Sequence, residues 1–239
     1  LRKEGNPEAA AEYLRAAMID FPCHPSLSNE LGQALLEGGD REGAGAQFRA
    51  TLASHSRDVV AMVNLGRLAR EEGSTATARR WFRSALEQDP ENAYALNLMG
   101  DLNRLDGNES RAERWYRKTL ACRPEDPYAM TGLGLLAVKG GKFNRAREWF
   151  DQVLVLRPGD PVAVNGLHGI EQLEAALPVV AQARTLRKRK EYAKAEKLLL
   201  NSLSRYNNNP GLLIELGFVA HCENRFDEAR TLFEMAQRK

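Results

Sequence analysis

The chain is built from short segments in which apolar side chains recur every three or four residues. Residues 59–72 form one such segment, and Leu65 and Leu68 lie on its apolar face. Residues 75–88 form the next segment, with Phe82 on the face that we expect to contact the first. The pattern predicts two antiparallel helices joined by a tight turn, which we call helix A and helix B of one unit.

This pair of helices recurs with a period of 34 residues, which is visible in parallel series of glycines, alanines and bulky side chains. A glycine inside a helix costs about 1 kcal/mol relative to alanine. We therefore expect helix B to approach the backbone of helix A at each glycine. The three series are Gly32, Gly66, Gly100 and Gly134; Ala10, Ala44, Ala78, Ala112 and Ala146; and Leu14, Phe48, Phe82, Tyr116 and Phe150.

The Leu-Gly, Ala-x-x-x-Phe and terminal Pro elements at this period resemble the tetratricopeptide repeat family. The prolines that close the units are Pro22, Pro90, Pro124 and Pro158. The resemblance covers a half-unit at 1–22 and complete units that begin at residues 25, 59, 93 and 127. It implies an all-α fold, a right-handed superhelical solenoid of antiparallel helix pairs. It also implies a binding function without catalysis.

The 34-residue phase breaks after Pro158. His168 stands in the glycine position of the next unit, and Val180 stands where an alanine is expected. The pattern then resumes in units that begin at residues 176 and 210, which is a slip of 15 residues. Fifteen residues correspond to one helix, so the slip predicts a break in the stack.

We therefore predict two blocks. The first is 1–175, which ends in a lone helix at 161–175, and the second is 176–239, with a kink at Leu177 and Pro178. Neither end has the polar cap that repeat solenoids require, so we expect the parent protein to extend further and the ends to permit self-association.

The charge balance argues against a nucleic-acid partner. Lys and Arg total 34 and Asp and Glu total 32, so the formal net charge is +2. The same balance disfavours a 35-residue RNA-reading helical repeat. No stretch approaches the roughly 18 apolar residues that span a bilayer. We expect a soluble protein, cytoplasmic rather than periplasmic.

The sequence carries no recognisable catalytic, cofactor or metal motif, and we expect no enzymatic activity and no cofactor. Cys23, Cys122 and Cys222 are too far apart for a zinc or redox motif, and we expect them to be buried. Three tryptophans keep the 34-residue period, and we expect them to pack between units. These are Trp81, Trp115 and Trp149.

The resemblance places the ligand groove on the concave wall built from helices A. Asparagine amides there could bond a peptide backbone, aromatic rings could hold its side chains, and the arginines and lysine would favour an acidic segment. The alternative is that these are ordinary solvated helix positions. The candidate groove residues are Asn29, Gln33, Asn64, Arg67, Arg70, Tyr94, Asn97, Asp101, Arg104, Tyr128, Asn165, Arg184, Arg187 and Lys188.

One subclass of the family seizes a terminal carboxylate with a clamp of Lys and Asn, and this chain departs from it. Asn64 fits one clamp position, but Asn29, Gln33, Tyr94 and Leu98 replace the others. Two functions remain open. The first is a scaffold within a multiprotein assembly that holds a peptide or partner protein. The second is the regulatory or substrate-recognising arm of a larger enzyme or of a polysaccharide-export or secretion machine.

Overall fold

The computed structural model describes residues 6–22, 24–206 and 209–237. In these ranges the chain forms thirteen α-helices and no strand, which confirms the all-α solenoid. The helices are α1 Pro7–Asp20, α2 Pro25–Glu37, α3 Arg41–Ser54, α4 Val59–Glu71, α5 Thr75–Gln88, α6 Ala93–Leu105, α7 Glu109–Cys122, α8 Pro127–Lys139, α9 Phe143–Leu156, α10 Pro161–Lys188, α11 Tyr192–Leu203, α12 Pro210–Cys222 and α13 Phe226–Gln237.

The helices A begin where the repeat predicts, because capping residues recur at the ends of the units. Asp58 precedes α4, and its Oδ1 accepts a hydrogen bond from the backbone N–H of Ala61 at 2.7 Å. Asn92 caps α6 in the same way through Ala95, at 3.0 Å. The predicted unit starts at 25, 59, 93, 127 and 210 are therefore confirmed as helix starts.

The glycines of helix A lie under the bulky rings of helix B, as predicted. A Cβ atom added to Gly32 would lie 2.5 Å from Cε1 of Phe48, and one added to Gly100 would lie 2.5 Å from Cε1 of Tyr116. Both rings are fully buried. The absence of a side chain is therefore what allows the two helices to approach so closely.

Packing divides the chain into two compact units, one up to Leu136 and one from Ala137. In the first unit each helix from α1 to α7 contacts the next, and in the second each helix from α9 to α13 does so. Trp81 and Trp115 pack against a core cluster shared by α4, α5 and α6, which confirms the packing role predicted for them. The role of Trp149 and the handedness of the solenoid stay predictions.

The sequence prediction was wrong at the phase break, because the chain from 161 to 188 is one continuous helix, α10. Two helices A are joined end to end, and the exposed Pro178 lies inside the joined helix rather than at its end. The buried residues of the two halves lie on different sides of α10, because the step from Ile170 to Ala176 turns the helix by about 120° away from a common face. Ala163 and Ile170 share one side, and Ala176 and Ala183 share the other.

The two halves of α10 pack against different neighbours within the second unit. In the first half, Gly166 lies under the ring of Phe150 of α9. In the second half, Val180 approaches Gly211 of α12. Continuity of the helix thus replaces the reversal of direction that an inserted helix would impose. Whether 1–175 and 176–239 behave as separable blocks stays a prediction.

The cysteines differ from expectation. Cys122 and Cys222 are free and exposed, because each is the last residue of its helix and that turn faces solvent. Cys23 lies outside the described residues. Of the helices in the described ranges, none combines the length and the apolar character that crossing a membrane requires.

Candidate functional site

Side chains at matching positions of α4, α6 and α8 contact one another along the first unit. The guanidinium of Arg67 lies 6.0 Å from the ring centroid of Tyr94. Arg70 lies 3.7 Å from Asp101, and the hydroxyl of Tyr128 donates a hydrogen bond to the same carboxylate. Three consecutive helices A are thus joined by contacts between candidate groove residues. We call these five residues, together with Asn64, Asn97 and Arg104, the helix-A strip.

Asp101 is the centre of the strip. Its side chain accepts hydrogen bonds from Tyr116, at 2.7 Å, and from Tyr128. Arg70 and Arg104 approach it at 3.7 and 3.8 Å, which is close enough for ion pairs but too long for good hydrogen bonds. The side chains of the two arginines are 30% and 33% exposed. Both guanidinium groups therefore keep donors that Asp101 does not use.

Both tyrosines at Asp101 are held in the neutral form. Burial, reinforced by the adjacent Asp101 carboxylate, raises the pKa of Tyr116 and the pKa of Tyr128 well above the usual value near 10. Each hydroxyl accordingly stays a hydrogen-bond donor across the physiological range. With one carboxylate between two arginines, the centre of the strip has an excess of positive charge.

The strip also exposes aromatic surface. Tyr94 and Tyr128 are 47% and 46% exposed. Arg67 is held between Tyr94 on α6 and Asn64 on α4, whose Oδ1 accepts a hydrogen bond from it at 3.2 Å. The aromatic rings and the arginines alternate along the strip, so it can hold carboxylates and apolar side chains in turn.

Two of the buried candidate asparagines, Asn29 and Asn97, already use their amide nitrogens within the protein. Nδ2 of Asn29 donates to Asp58 at 2.9 Å, and Nδ2 of Asn97 donates to Asp126 at 3.0 Å. Both aspartates cap the following helix A, so each asparagine ties one unit to the next. In each of the two amides only the Oδ1 acceptor is left, and it is buried without a hydrogen-bond partner among the described residues.

Two further candidate residues lie outside the strip. Gln33 donates to Glu37 on its own helix at 3.1 Å. Asn165 is exposed on α10, in the second unit. Neither residue takes part in the described contacts that join the strip within the first unit.

The two arginines of the cationic cluster predicted on α10 share one carboxylate of the second unit. Arg184 Nε and Arg187 Nε donate to Glu215 of α12 at 2.8 and 3.2 Å, and the Glu215 side chain is 2% exposed. Arg187 also lies 5.1 Å from the ring centroid of Phe218. Only Lys188, which is exposed, is not engaged by Glu215. The arginines act mainly in joining α10 to α12.

Sequence reasoning missed two features of the site. Tyr116 was placed in the core series only, although a tyrosine in a series of phenylalanines signals that its hydroxyl needs a buried partner. Glu215 carries no motif, and its distance in sequence from Arg184 and Arg187 hides the pairing. Among the residues that the structure describes, no three His, Cys, Asp or Glu side chains are arranged to hold a metal ion.

Comparison with protein-family models gives two matches, both described as tetratricopeptide repeat. One model matches residues 1–59, 29–93, 63–127 and 111–161, which together exceed half of the chain. A second model matches residues 210–235. A comparison with curated protein sequences gives no match.

Solved structures of low sequence identity share the fold. A tetratricopeptide repeat protein from Parabacteroides merdae is 20% identical with a TM-score of 0.56, over 99% of this chain and 88% of that chain. Pseudomonas aeruginosa pilF is 21% identical with a TM-score of 0.56, over 90% of each chain. The APC/C hetero-tetramer Cut9-Hcn1 is 15% identical with a TM-score of 0.60, over 98% of this chain and 46% of that chain. At these identities the likeness concerns the fold alone.

Proposed function

The chain belongs to the tetratricopeptide repeat family, and we propose that it is a non-enzymatic scaffold whose helix-A strip holds an extended, acidic segment of a partner protein. Tetratricopeptide repeats serve generally as protein-interaction scaffolds. The proposal gives this role to the side chains of the strip. We further propose that the chain works within a larger multiprotein assembly.

The charge and aromatic content of the strip carry the proposal. The strip contains three arginines, Arg67, Arg70 and Arg104, and one carboxylate, Asp101, which only Arg70 and Arg104 approach, so it has a surplus of positive charge. The half-exposed ring of Tyr94 lies beside Arg67. A segment with carboxylates beside apolar side chains complements this order. Neighbouring helices pack about 8–10 Å apart, so three helices A span an extended segment of about five or six residues.

Two buried atoms of the strip also lack a hydrogen-bond partner, namely Asn97 Oδ1 and Arg104 Nε. An unpaired buried polar atom is unfavourable by about 1–3 kcal/mol. A backbone N–H and a carboxylate or carbonyl oxygen of a bound peptide could satisfy the two atoms after a small movement of the side chains. The strip therefore offers complementary groups for a peptide backbone as well as for its side chains.

Affinity capture with matched variants tests the proposal. The strip variant combines Arg67→Glu with Tyr94→Ala. The control variant is Arg83→Glu, at an exposed position on α5, which makes the same change in net charge. The binding segment of a captured partner is mapped with overlapping peptides, and its affinity is measured by fluorescence anisotropy.

We expect the mapped segment to be acidic and to bind the strip variant at least about tenfold more weakly, which is about 1.4 kcal/mol. The control variant should bind it as the native chain does. Equal affinity for the strip variant and the native chain would show that the strip is not the binding surface.

A further inference from the structure

The exposed face of α7 carries three positive charges around a tryptophan. Arg111, Arg114 and Lys118 are exposed and are spaced by three and four residues, which places them on one side of the helix. Trp115 lies among them and is partly buried. The ammonium group of Lys118 lies 5.2 Å from the Trp115 ring centroid. We call these four residues the α7 face.

None of these charges is neutralised within the described ranges. Arg114 donates only to the backbone oxygen of Ser110, at 3.4 Å. Neither Arg111 nor Lys118 has a carboxylate within ion-pair distance among the described residues. By contrast Arg117, on the same helix, pairs with Glu113 at 2.7 Å. The α7 face is therefore a concentrated and unpaired patch in a chain whose net charge is only +2.

The α7 face also forms one wall of a cavity of about 450 Å³. Its apolar surface comes from the indole ring of Trp115 and from the carbon stems of the basic side chains. The buried edge of Trp115 packs against the core cluster of α4, α5 and α6, so the ring is fixed in position. A fixed aromatic wall with mobile cations at its rim suits an apolar side chain flanked by acidic groups.

The repeat itself shows that the fold does not require these cations. Positions that packing requires recur every 34 residues, as the tryptophans do. The equivalent positions hold only one cation in each neighbouring unit. They are Thr77, Arg80 and Ser84 in the unit before, and Arg145, Glu148 and Gln152 in the unit after. Because the neighbouring units are built without the set of three, packing of the repeat does not require that set on α7.

We propose that the α7 face is a second protein-binding surface, separate from the helix-A strip, which takes an acidic peptide segment of a partner protein. The Cα atoms of Arg111 and Lys118 are about 10 Å apart along the helix axis. An extended peptide covers that distance in about three residues. The segment that fits has two carboxylates three residues apart, with an aromatic or large apolar side chain between them that rests on Trp115.

The distribution of charge favours a peptide over a nucleic acid. A single strand that contacts three cations would release about two counterions, which gives weak binding that salt abolishes. The electrostatic potential of the whole chain would not strengthen this binding, since the net charge is +2. The apolar wall adds affinity for a peptide side chain that does not depend on salt.

The test uses a fluorescein-labelled peptide with two copies of Glu-Phe-Ser-Glu and a control peptide in which every Glu is Gln. Binding to the full chain is followed by fluorescence anisotropy at about 0.1 M salt. The test variant is Arg111→Glu with Lys118→Glu. The charge-matched control is Arg80→Glu with Arg83→Glu, which makes the same change in net charge on α5. Circular dichroism verifies that each variant is folded.

We expect saturable binding of the Glu peptide, at least about tenfold weaker binding by the α7 variant, and a change of less than about twofold in the control. Trp115→Leu should weaken binding more than Trp81→Leu. The α7 substitutions should weaken binding by a similar factor when they are made in the helix-A strip variant, which separates the result from the test of the proposed function.

Three outcomes would overturn the proposal. The first is absence of saturable binding of the Glu peptide by the native chain. The second is equal loss of affinity in the α7 variant and its charge-matched control, which would indicate a general charge effect. The third is binding of oligouridylate or phosphatidylserine vesicles that exceeds peptide binding and is lost in the α7 variant, since it would assign the face to a different class of partner.

Discussion

The ring of Phe82 on α5 occupies the space that a side chain on Gly66 of α4 would need. Any Cβ atom at Gly66 would overlap Cε1 and Cδ1 of the ring, and Phe82 is fully buried. The same relationship joins Gly32 to Phe48. The closeness of helices A and B within a unit is therefore set by a missing side chain on one helix and a large one on the other.

Gly66→Ala should destabilise the chain although alanine is the better helix former. Overpacking of a tight core contact costs about 1–3 kcal/mol, which exceeds the gain of about 1 kcal/mol in helix propensity. Gly169→Ala on α10 is the matched control, because nothing lies within 4 Å of the added Cβ there. Chemical denaturation should show opposite signs for the two variants. Stabilisation by both would contradict the packing account.

Removing both arginines from the buried Glu215 should destabilise the second unit. In Arg184→Ala with Arg187→Ala the carboxylate stays buried without a partner, and such losses are about 3–5 kcal/mol. Adding Glu215→Leu should restore much of the stability, since no unpaired charge remains. Denaturation of the double and triple variants measures this coupling. A triple variant that is no more stable than the double would show that the pairing is energetically unimportant.

Pro178→Ala should stabilise the chain. Proline inside a helix removes one backbone hydrogen bond and crowds the preceding turn, which together cost about 3 kcal/mol in a regular helix. Part of that cost is already relieved by local adjustment, so we expect a gain of about 1–3 kcal/mol in the free energy of unfolding. Pro178→Gly serves as the comparison, because it restores the donor but has a helix propensity about 1 kcal/mol poorer than that of alanine. Destabilisation by alanine would mean that the proline geometry is needed for packing against α12.

Stability should fall as the pH rises above about 10, in a way that depends on Asp101. The pKa values of Tyr116 and Tyr128 are raised in the folded chain, so the folded state keeps protons that the unfolded state loses near pH 10. Their contribution is complete below that pH and is lost progressively above it.

Burial is the larger cause of the raised pKa values of Tyr116 and Tyr128, and Asp101→Asn removes only the part that the carboxylate adds, so the decline should become shallower without disappearing. The measurement is the free energy of unfolding at about pH 8 and about pH 10.5 for both chains. Equal slopes for the native chain and the variant would contradict the contribution of Asp101.

The starts of the helices A could be predicted because one strong signal repeats. A residue that caps or stops a helix acts on backbone groups within four positions of itself. The glycine and aromatic series lie only 16 residues apart. Both signals can therefore be recognised within a short stretch of sequence. The close approach of the Tyr116 ring to Gly100 and the start of α4 after Asp58 were both predicted from such short-range signals.

The features that could not be predicted depend on contacts between residues far apart in sequence. Asn97 meets Asp126, and Arg184 meets Glu215, across 29 and 31 residues. Such pairs are decided by how one unit lies on the next, which no local pattern specifies. The continuity of α10 was not predicted, because a proline ends most helices. Here the helix continues through Pro178, whose side chain is exposed. Local signals thus identified the candidate strip, but not which of its donors are already used.

The joined helix α10 also accounts for the break in the 34-residue period. In a 34-residue repeat, an insertion of fifteen residues and a deletion of about nineteen place all later units in the same register. Nineteen residues are about the length of one helix B with its two turns, and a helix B is what is missing between the two halves of α10. The chain is therefore short of a regular array by one helix B and its turns. A chain in which a helix B and its turns are inserted near residue 175 should fold as a regular array.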